Sequence, residues 1–173
     1  MSLDTRSPHV TLREFAPNDL GRLAGWLREP HVARWYAEPA DDLAWAAQPP
    51  PGGGQAIILS DGVEVGYVRW QRVDREALDA LGLHEIPPGS VDADILIGET
   101  ARTGVGIGPR ALRMLTADLR QDPTVPLIGL TSELTNTRAH RAFEKAGFRI
   151  ARQYDAPRLG SCHLLILDLR EIS

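Results

Sequence analysis

The stretch Arg102-Thr103-Gly104-Val105-Gly106-Ile107-Gly108 decides how the rest of the chain is read. Before it, Val91 to Gly98 reads as a strand; after it, Pro109 to Leu119 reads as a helix. Three alternate glycines at a strand-to-helix turn leave backbone N–H groups unscreened by side chains, and the helix N-terminus behind them adds partial positive charge. Such a turn suits a phosphate or pyrophosphate. Pro109 fits the first helical turn, where its missing N–H costs nothing. No Lys-Ser or Lys-Thr follows the last glycine, which excludes a nucleoside-triphosphate P-loop, and the spacing also departs from GxGxxG. A plain tight turn needing positive φ is the competing reading of the same glycines.

Working outward, 173 residues suit one domain with a sizeable core. A formal charge of -4 argues against a strong nucleic-acid binder, which is normally basic. The single cysteine, Cys162, excludes an internal disulfide framework and is compatible with a reducing cytoplasm. No apolar run is long enough to span a membrane, and the polar stretch Met1 to His9 lacks a signal peptide's apolar centre. The expectation is therefore a cytoplasmic protein with no nucleic-acid and no membrane partner.

Val10 to Phe15 alternates and reads as the first strand. Pro17-Asn18-Asp19 opens a helix carrying Leu20, Leu23, Trp26 and Leu27, which Pro30 stops. Short helices follow through Val32 to Tyr36 and around Leu43 to Ala46. Trp26, Trp35, Tyr36 and Trp45 cluster here and read as either core or the wall of a substrate pocket; core is the better reading for Trp26, while Trp35 and Tyr36 sit at the end of a segment, where side chains are more often exposed. Pro49 to Gly54 is a loop. Gln55 to Leu59 and Glu64 to Trp70 form an antiparallel pair around Asp61-Gly62.

Asp74 to Gly89 is irregular, with a short helix through Arg75 to Leu81. Its acids Asp74, Glu76, Asp79 and Glu85 read either as a solvated loop or as a rim that attracts a cationic substrate. On the strand Val91 to Ile97, Asp92 and Asp94 share one face while Ala93, Ile95 and Ile97 share the other. Acids on a buried face need partners or a wet pocket, which lifts Asp94 above an ordinary surface acid. Leu127 to Leu130 reads as a strand parallel to it, because a helix crosses between them. Asn136 to Ala146 reads as a helix capped by Thr135 or Asn136 and closed by Gly147. Strands Phe148 to Arg152 and Ser161 to Leu169 complete the chain.

Two blocks stand in fixed order about thirty residues apart: Arg102 to Gly108, and Asn136-Thr137-Arg138-Ala139-His140-Arg141-Ala142-Phe143-Glu144-Lys145-Ala146-Gly147-Phe148. On these the chain resembles the GCN5-related N-acetyltransferase (GNAT) superfamily over nearly its whole length. Within it, Leu12-Arg13, Trp26-Leu27, Val32 to Tyr36, Gly66-Tyr67 and the Asp94 strand most resemble the bacterial aminoglycoside 6'-N-acetyltransferases of antibiotic resistance. The resemblance implies an α/β (α+β) fold in one domain over residues 1–173. It implies a single mixed, mostly antiparallel sheet, a central parallel strand pair splayed to hold acetyl-CoA, and helices on both faces.

What the resemblance implies about the site can be written residue by residue. Acetyl-CoA is the acetyl donor and no metal takes part. Its pyrophosphate lies on Thr103, Gly104, Val105, Gly106, Ile107 and Gly108, with Arg102 as a further phosphate contact. Asn136 lies near the pantetheine arm, and a backbone N–H near Leu96 or Ile97 polarises the thioester carbonyl. Asp94 is the catalytic base. From their own charge and placement, rather than from the resemblance, Asp92, Asp94 and Glu85 are expected to hold the acceptor's ammonium and Trp35 or Tyr36 to cover a sugar ring. The expected reaction moves acetyl to the 6'-amine of an aminoglycoside by direct attack in a ternary complex, by a monomer or homodimer with a small cationic amine as its partner. Two alternatives stay open: acetylation of a protein N-terminus or siderophore amine, and a non-catalytic CoA-binding module.

Two residues depart from the family pattern. Thr103 stands where a glutamine or arginine is common, and Phe143 stands where a tyrosine is often the general acid. A phenyl ring cannot protonate a thiolate. Cys162 lacks an evident base and reads as a small buried hydrophobe rather than a nucleophile.

Overall fold

In the computed structural model, residues 6–171 are described; Met1 to Thr5, part of the polar N-terminal stretch, and residues 172–173 lie outside them. Seven strands form one sheet in the order β1-β2-β3-β4-β5-β7-β6. They are β1 (Val10–Glu14), β2 (Gly54–Ser60), β3 (Val63–Arg72), β4 (Val91–Ile97), β5 (Leu127–Glu133), β6 (Arg149–Ala156) and β7 (Gly160–Asp168). Every neighbouring pair is antiparallel except β4 and β5. The helices are α1 (Leu20–Arg28), α2 (Pro30–Ala33), α3 (Pro39–Ala47), α4 (Arg75–Ala80), α5 (Ile107–Leu119) and α6 (Thr137–Lys145). The expected mixed sheet with one parallel pair and helices on both faces is what the chain forms.

Local chemistry accounts for the turns. Asp61 and Gly62 both have positive φ, +50° and +82°, the primed turn that matches the twist of a two-residue hairpin. Helix α5 begins at Ile107, two residues before the expected Pro109, because Gly106 at φ +87° already turns the chain into it. Asn136 caps α6, its Oδ1 accepting the Ala139 N–H at 3.2 Å. Asp19 does more than start α1. Its carboxylate receives both Arg13 Nη atoms at 2.8 Å and the Ala16 N–H at 2.8 Å, tying β1 to that helix entry.

Period-two alternation divides the burial between the two faces. On one face Val91, Ala93, Ile128, Leu130 and Leu165 pack under α5 and α6, through Ile107, Ala111, Leu112, Leu115, Phe143 and Ala146. The other face is split. Toward β1, Leu23, Trp26, Leu27, Val32 and Ala46 of α1–α3 cover Ile57, Tyr67 and Leu96. Toward β7, Leu78, Leu83 and Ile86 of the α4 segment cover Leu127, Leu164 and Ile166. Asp92 and Asp94 lie on this second face, in the valley between its two apolar clusters.

The sheet is also split along its length. Parallel pairing of β4 with β5 covers only Val91↔Ile128, Asp92↔Gly129 and Ala93↔Leu130, and then the strands part. Gly98 N–H donates to Val65 O on β3 at 2.8 Å. By alternation, Ile95 and Ile97 direct their backbone groups the other way, into the gap. Gly98 also makes room for Trp26: a Cβ there would lie 2.0 Å from a ring carbon of that buried side chain. Trp26 is held in turn by its Nε1–H donating to Glu99 Oε1 at 3.0 Å. Gly98→Ala is therefore expected to lower stability by about 1–3 kcal/mol, the usual cost of overpacking a filled core, read as a lower midpoint in urea unfolding.

Candidate active site

The gap between β4 and β5 opens into a cleft of about 980 Å³ that runs from the glycine loop to α2 and α3. At the loop end, Gly104 and Gly106 have φ of +73° and +87°. A Cβ on Gly106 would meet Arg110 Nη1 at 2.9 Å, and one on Gly104 would meet Arg138 Nη2 at 3.3 Å. Bare backbone, two guanidinium groups and the start of α5 thus converge on one spot, which fits a pyrophosphate. Arg102, Arg138, Arg141 and Lys145 line the same end. Thr103, Gly104, Gly106, Ile107 and Gly108 also line the cleft, while Val105 turns an exposed side chain away from it.

The freed edge of β4 forms one wall. Ile95 O accepts the Tyr36 hydroxyl at 3.3 Å, and Ile97 O accepts His31 Nε2–H at 2.8 Å. Asn136, Leu96, Ile97, Phe143 and Ser132 line the cleft, and the Ser132 Oγ is itself buried, with no hydrogen-bond partner among the described residues. Cys162 is fully buried and burial pushes its thiol up, which keeps it a protonated packing residue.

At the far end the β3–β4 register sets Arg69 opposite Asp94 and Gln71 opposite Asp92. Helix α3 supplies Asp42 and Trp45 above them. Arg69 Nη2 donates to Asp42 Oδ1 at 3.0 Å and lies 3.8 Å from Asp94 Oδ2, with its guanidinium 5.0 Å over the Trp45 ring. Tyr36 OH donates to Asp94 Oδ1 at 2.8 Å, and Trp45 Nε1–H donates to Gln71 Oε1 at 3.1 Å. Solvent reaches both aspartates through the cleft, yet protein walls surround them. That desolvation raises Asp94, against the opposing pull of Arg69 and Tyr36. Asp92 is pushed up to about 6, first by desolvation and then by the charge of Asp94. Burial and Asp94 hold Tyr36 as a neutral phenol, so it acts as a donor.

The structure brings together most of the residues expected at the site: Asp92, Asp94, Trp35 and Tyr36 at one end, Arg102 and the glycines at the other, with Leu96, Ile97 and Asn136 between. It sets Glu85 apart, and none of Asp74, Glu76 and Asp79 lines the cleft. Glu85 pairs with Arg152 Nε at 3.1 Å, Asp74 caps α4 through the Ala77 N–H, and Asp79 engages Arg75 and His84. Leu78, Leu83 and Ile86 anchor that segment on the β5–β7 side, so it does not fold over the gap. Trp45 joins Trp35 and Tyr36 in the wall, whereas Asp42, Arg69 and Gln71 were not anticipated. Arg69 was legible only as an alternating strand residue and Gln71 lay one residue past the expected strand end; the β3–β4 register that sets them opposite the aspartates is a tertiary fact.

Comparison with known proteins agrees with this geometry. The acetyltransferase (GNAT) domain family matches residues 16–156. The aminoglycoside N(6')-acetyltransferase type 1 of Klebsiella pneumoniae is 28% identical over 148 residues, covering 80% of this chain and 73% of the relative. Among solved structures, aminoglycoside acetyltransferase AAC(6')-Ib in complex with coenzyme A and kanamycin superposes with a TM-score of 0.77 at 27% identity, covering 92% of this chain and 95% of that one. The same enzyme with ribostamycin and coenzyme A gives 0.79 at 25% identity, covering 92% and 93%. With strands parted beside a glycine-built phosphate cradle, and with the family match spanning five of the seven strands, the chain belongs to the GNAT acetyltransferase family and is an acetyl-CoA-dependent N-acetyltransferase.

Proposed function

We propose that this chain acetylates the 6'-amine of an aminoglycoside by direct attack in a ternary complex, as one acetyltransferase domain over residues 1–173 working in the cytoplasm. The observation that carries the reading is the pair Asp92 and Asp94, side by side on β4 where the strand leaves β5. The cleft differs in charge at its two ends: Arg102, Arg138, Arg141 and Lys145 lie toward the glycine loop, whereas Glu38, Asp42, Asp92 and Asp94 gather toward α3, where Arg69 and Arg158 offset only part of their charge. A donor with phosphates and an acceptor with ammonium groups would enter from opposite ends and meet beside Ile97.

The roles follow from the chemistry of each group. Residues 103–108 and Arg102 hold the pyrophosphate, and the Asn136 side-chain NH2, left free by its capping oxygen, donates to the pantetheine arm. An aliphatic ammonium with a pKa near 10 cannot attack. Asp94, ionised beside Arg69, accepts its proton directly or through one water. The amine nitrogen then bonds the thioester carbon while the Ile97 N–H, turned into the gap, stabilises the developing oxyanion. The C–S bond breaks with its electron pair on sulfur. With Phe143 in place of a phenol donor, the proton shed by the newly acylated nitrogen reaches that sulfur through water in the cleft, and a thiol pKa near 8.5 makes the sulfur a tolerable leaving group. Trp35 covers the apolar face of the sugar, and Tyr36 fixes Asp94.

A thiol-release screen over kanamycin, polyamines, peptides and hydroxylysine tests the reading. Turnover of kanamycin is expected, with none for an analogue bearing hydroxyl in place of the 6'-amine. Equal turnover of both would move the acetyl group to another amine, and turnover of a peptide or siderophore amine alone would replace the substrate class. Binding of CoA without thiol release from any amine would make the protein a CoA-binding module. Asp94→Asn is expected to lower kcat/KM about 10²–10⁴-fold. Gly106→Val, forced to positive φ beneath Arg110, should weaken CoA binding by about tenfold or more in calorimetry.

Asp92 supplies a separate check. Its folded pKa of about 6 lies above the ordinary 3.8, so the native state binds the extra proton. Its ionisation therefore costs stability as pH rises from about 4 to about 6, and the full cost persists above that range. Asp92→Asn should melt higher than the native protein at pH 7.5, with the difference closing at pH 4.

A further inference from the structure

The acceptor end of the cleft already contains a cation. Arg69 faces the cleft with its side chain 22% exposed, and three groups lock it: the Trp45 ring beneath it, Asp42 and Asp94. Its Nη2 serves both carboxylates, whereas its Nε and Nη1 make no hydrogen bond among the described residues. Two residues back along β4, and so about 7 Å away, Asp92 faces Gln71 and has no ion-pair partner among the described residues. Tyr36 and Tyr67 complete the titratable groups around the guanidinium.

We propose that Arg69 is a specificity-determining residue: it serves Asp42 and Asp94 as a resident counter-ion, leaves Asp92 to dock one acceptor ammonium, and selects acceptors that present a hydroxyl rather than a second ammonium on the ring that bears the reacting amine. The proposal rests on the aminoglycoside reading above and narrows it to a subclass. The reason is elementary. A guanidinium has five donors and no acceptor, so the unengaged Nε–H and Nη1–H can donate to a hydroxyl oxygen. An ammonium offers no lone pair and adds a like charge within a walled cleft, where water screens poorly. Stacking and two carboxylates prevent Arg69 from swinging aside. Removing it would strip Asp94 of the cation that favours its ionised form.

Kanamycin A and kanamycin B make the test, since the ring bearing the 6'-amine carries a 2'-hydroxyl in the first and a 2'-amine in the second. Steady-state kinetics would be run on the native protein, Arg69→Gln and Arg69→Lys, with thermal melts confirming that each variant is folded. The native kcat/KM is expected to favour kanamycin A by about tenfold or more. Arg69→Gln should bring the two within about threefold, chiefly through a lower KM for kanamycin B, and Arg69→Lys should keep the native order. The acid limb of the kcat/KM profile should also move to higher pH in Arg69→Gln. Equal use of the two compounds by the native protein overturns the assignment while leaving the aminoglycoside reading intact. A preference unchanged in Arg69→Gln, or an unmoved acid limb, overturns it as well. Turnover of neither compound removes the aminoglycoside reading and this proposal together. Should Arg69→Gln fail to fold, the native ratio and the order in Arg69→Lys still decide.

Discussion

Everything at this site depends on the parting of β4 from β5 after the pair Ala93↔Leu130. A parallel sheet that stops pairing midway leaves buried backbone groups without partners, and such groups must be satisfied. Here the freed carbonyls of Ile95 and Ile97 are taken by Tyr36 and His31. The segment around α2 is thereby held against the edge of the sheet, and Tyr36 reaches Asp94 from there with the same hydroxyl. The N–H groups on that edge are not taken up by a strand, and the proposed mechanism gives one of them to the thioester carbonyl. One interruption in a ladder thus creates the cleft, positions its aromatic wall and frees backbone donors along it.

The cleft gathers carboxylates around Arg69 at its α3 end, and that arrangement carries a cost. Carboxylates confined between protein walls resist ionisation, so Asp92 and Asp94 are both raised. Arg69 and the Tyr36 hydroxyl offset this for Asp94, whereas Asp92 has only the more distant charge of Arg69 and the Gln71 side chain. Two neighbouring carboxylates of different basicity are useful to a reaction that must both hold an ammonium and remove its proton. At the other end Arg110 and Arg138 lie over glycines whose missing side chains let a diphosphate approach the backbone.

Under the proposed mechanism the leaving sulfur has no phenol beside it. Phe143 is buried against the core that α6 shares with the sheet, and it brings no proton to the cleft. A thiolate leaves more readily than an alkoxide, so that mechanism tolerates a phenyl ring where water can supply the proton. The buried thiol of Cys162, pushed up by its surroundings, offers no competing covalent route.

Local signals in the chain were enough for the elements, the glycine cradle, the Asn136 cap and the pairing of Asp92 with Asp94 on one strand face. Each depends on short-range chemistry: positive φ, capping oxygens and the two-residue period of a strand. The two blocks at 102–108 and 136–148 carried the family resemblance for the same reason, being contiguous. Tertiary structure alone decided which long-range partners those residues meet. It inserted β7 between β5 and β6, brought Arg69 opposite Asp94 through the β3–β4 register, and lowered Asp42 and Trp45 onto both from α3. It also moved Glu85 out of the site, because apolar Leu78, Leu83 and Ile86 bury themselves on the β5–β7 side and draw the acidic segment with them. An acid's place is set there by the hydrophobic residues around it, and a count of charges along the chain does not contain that information.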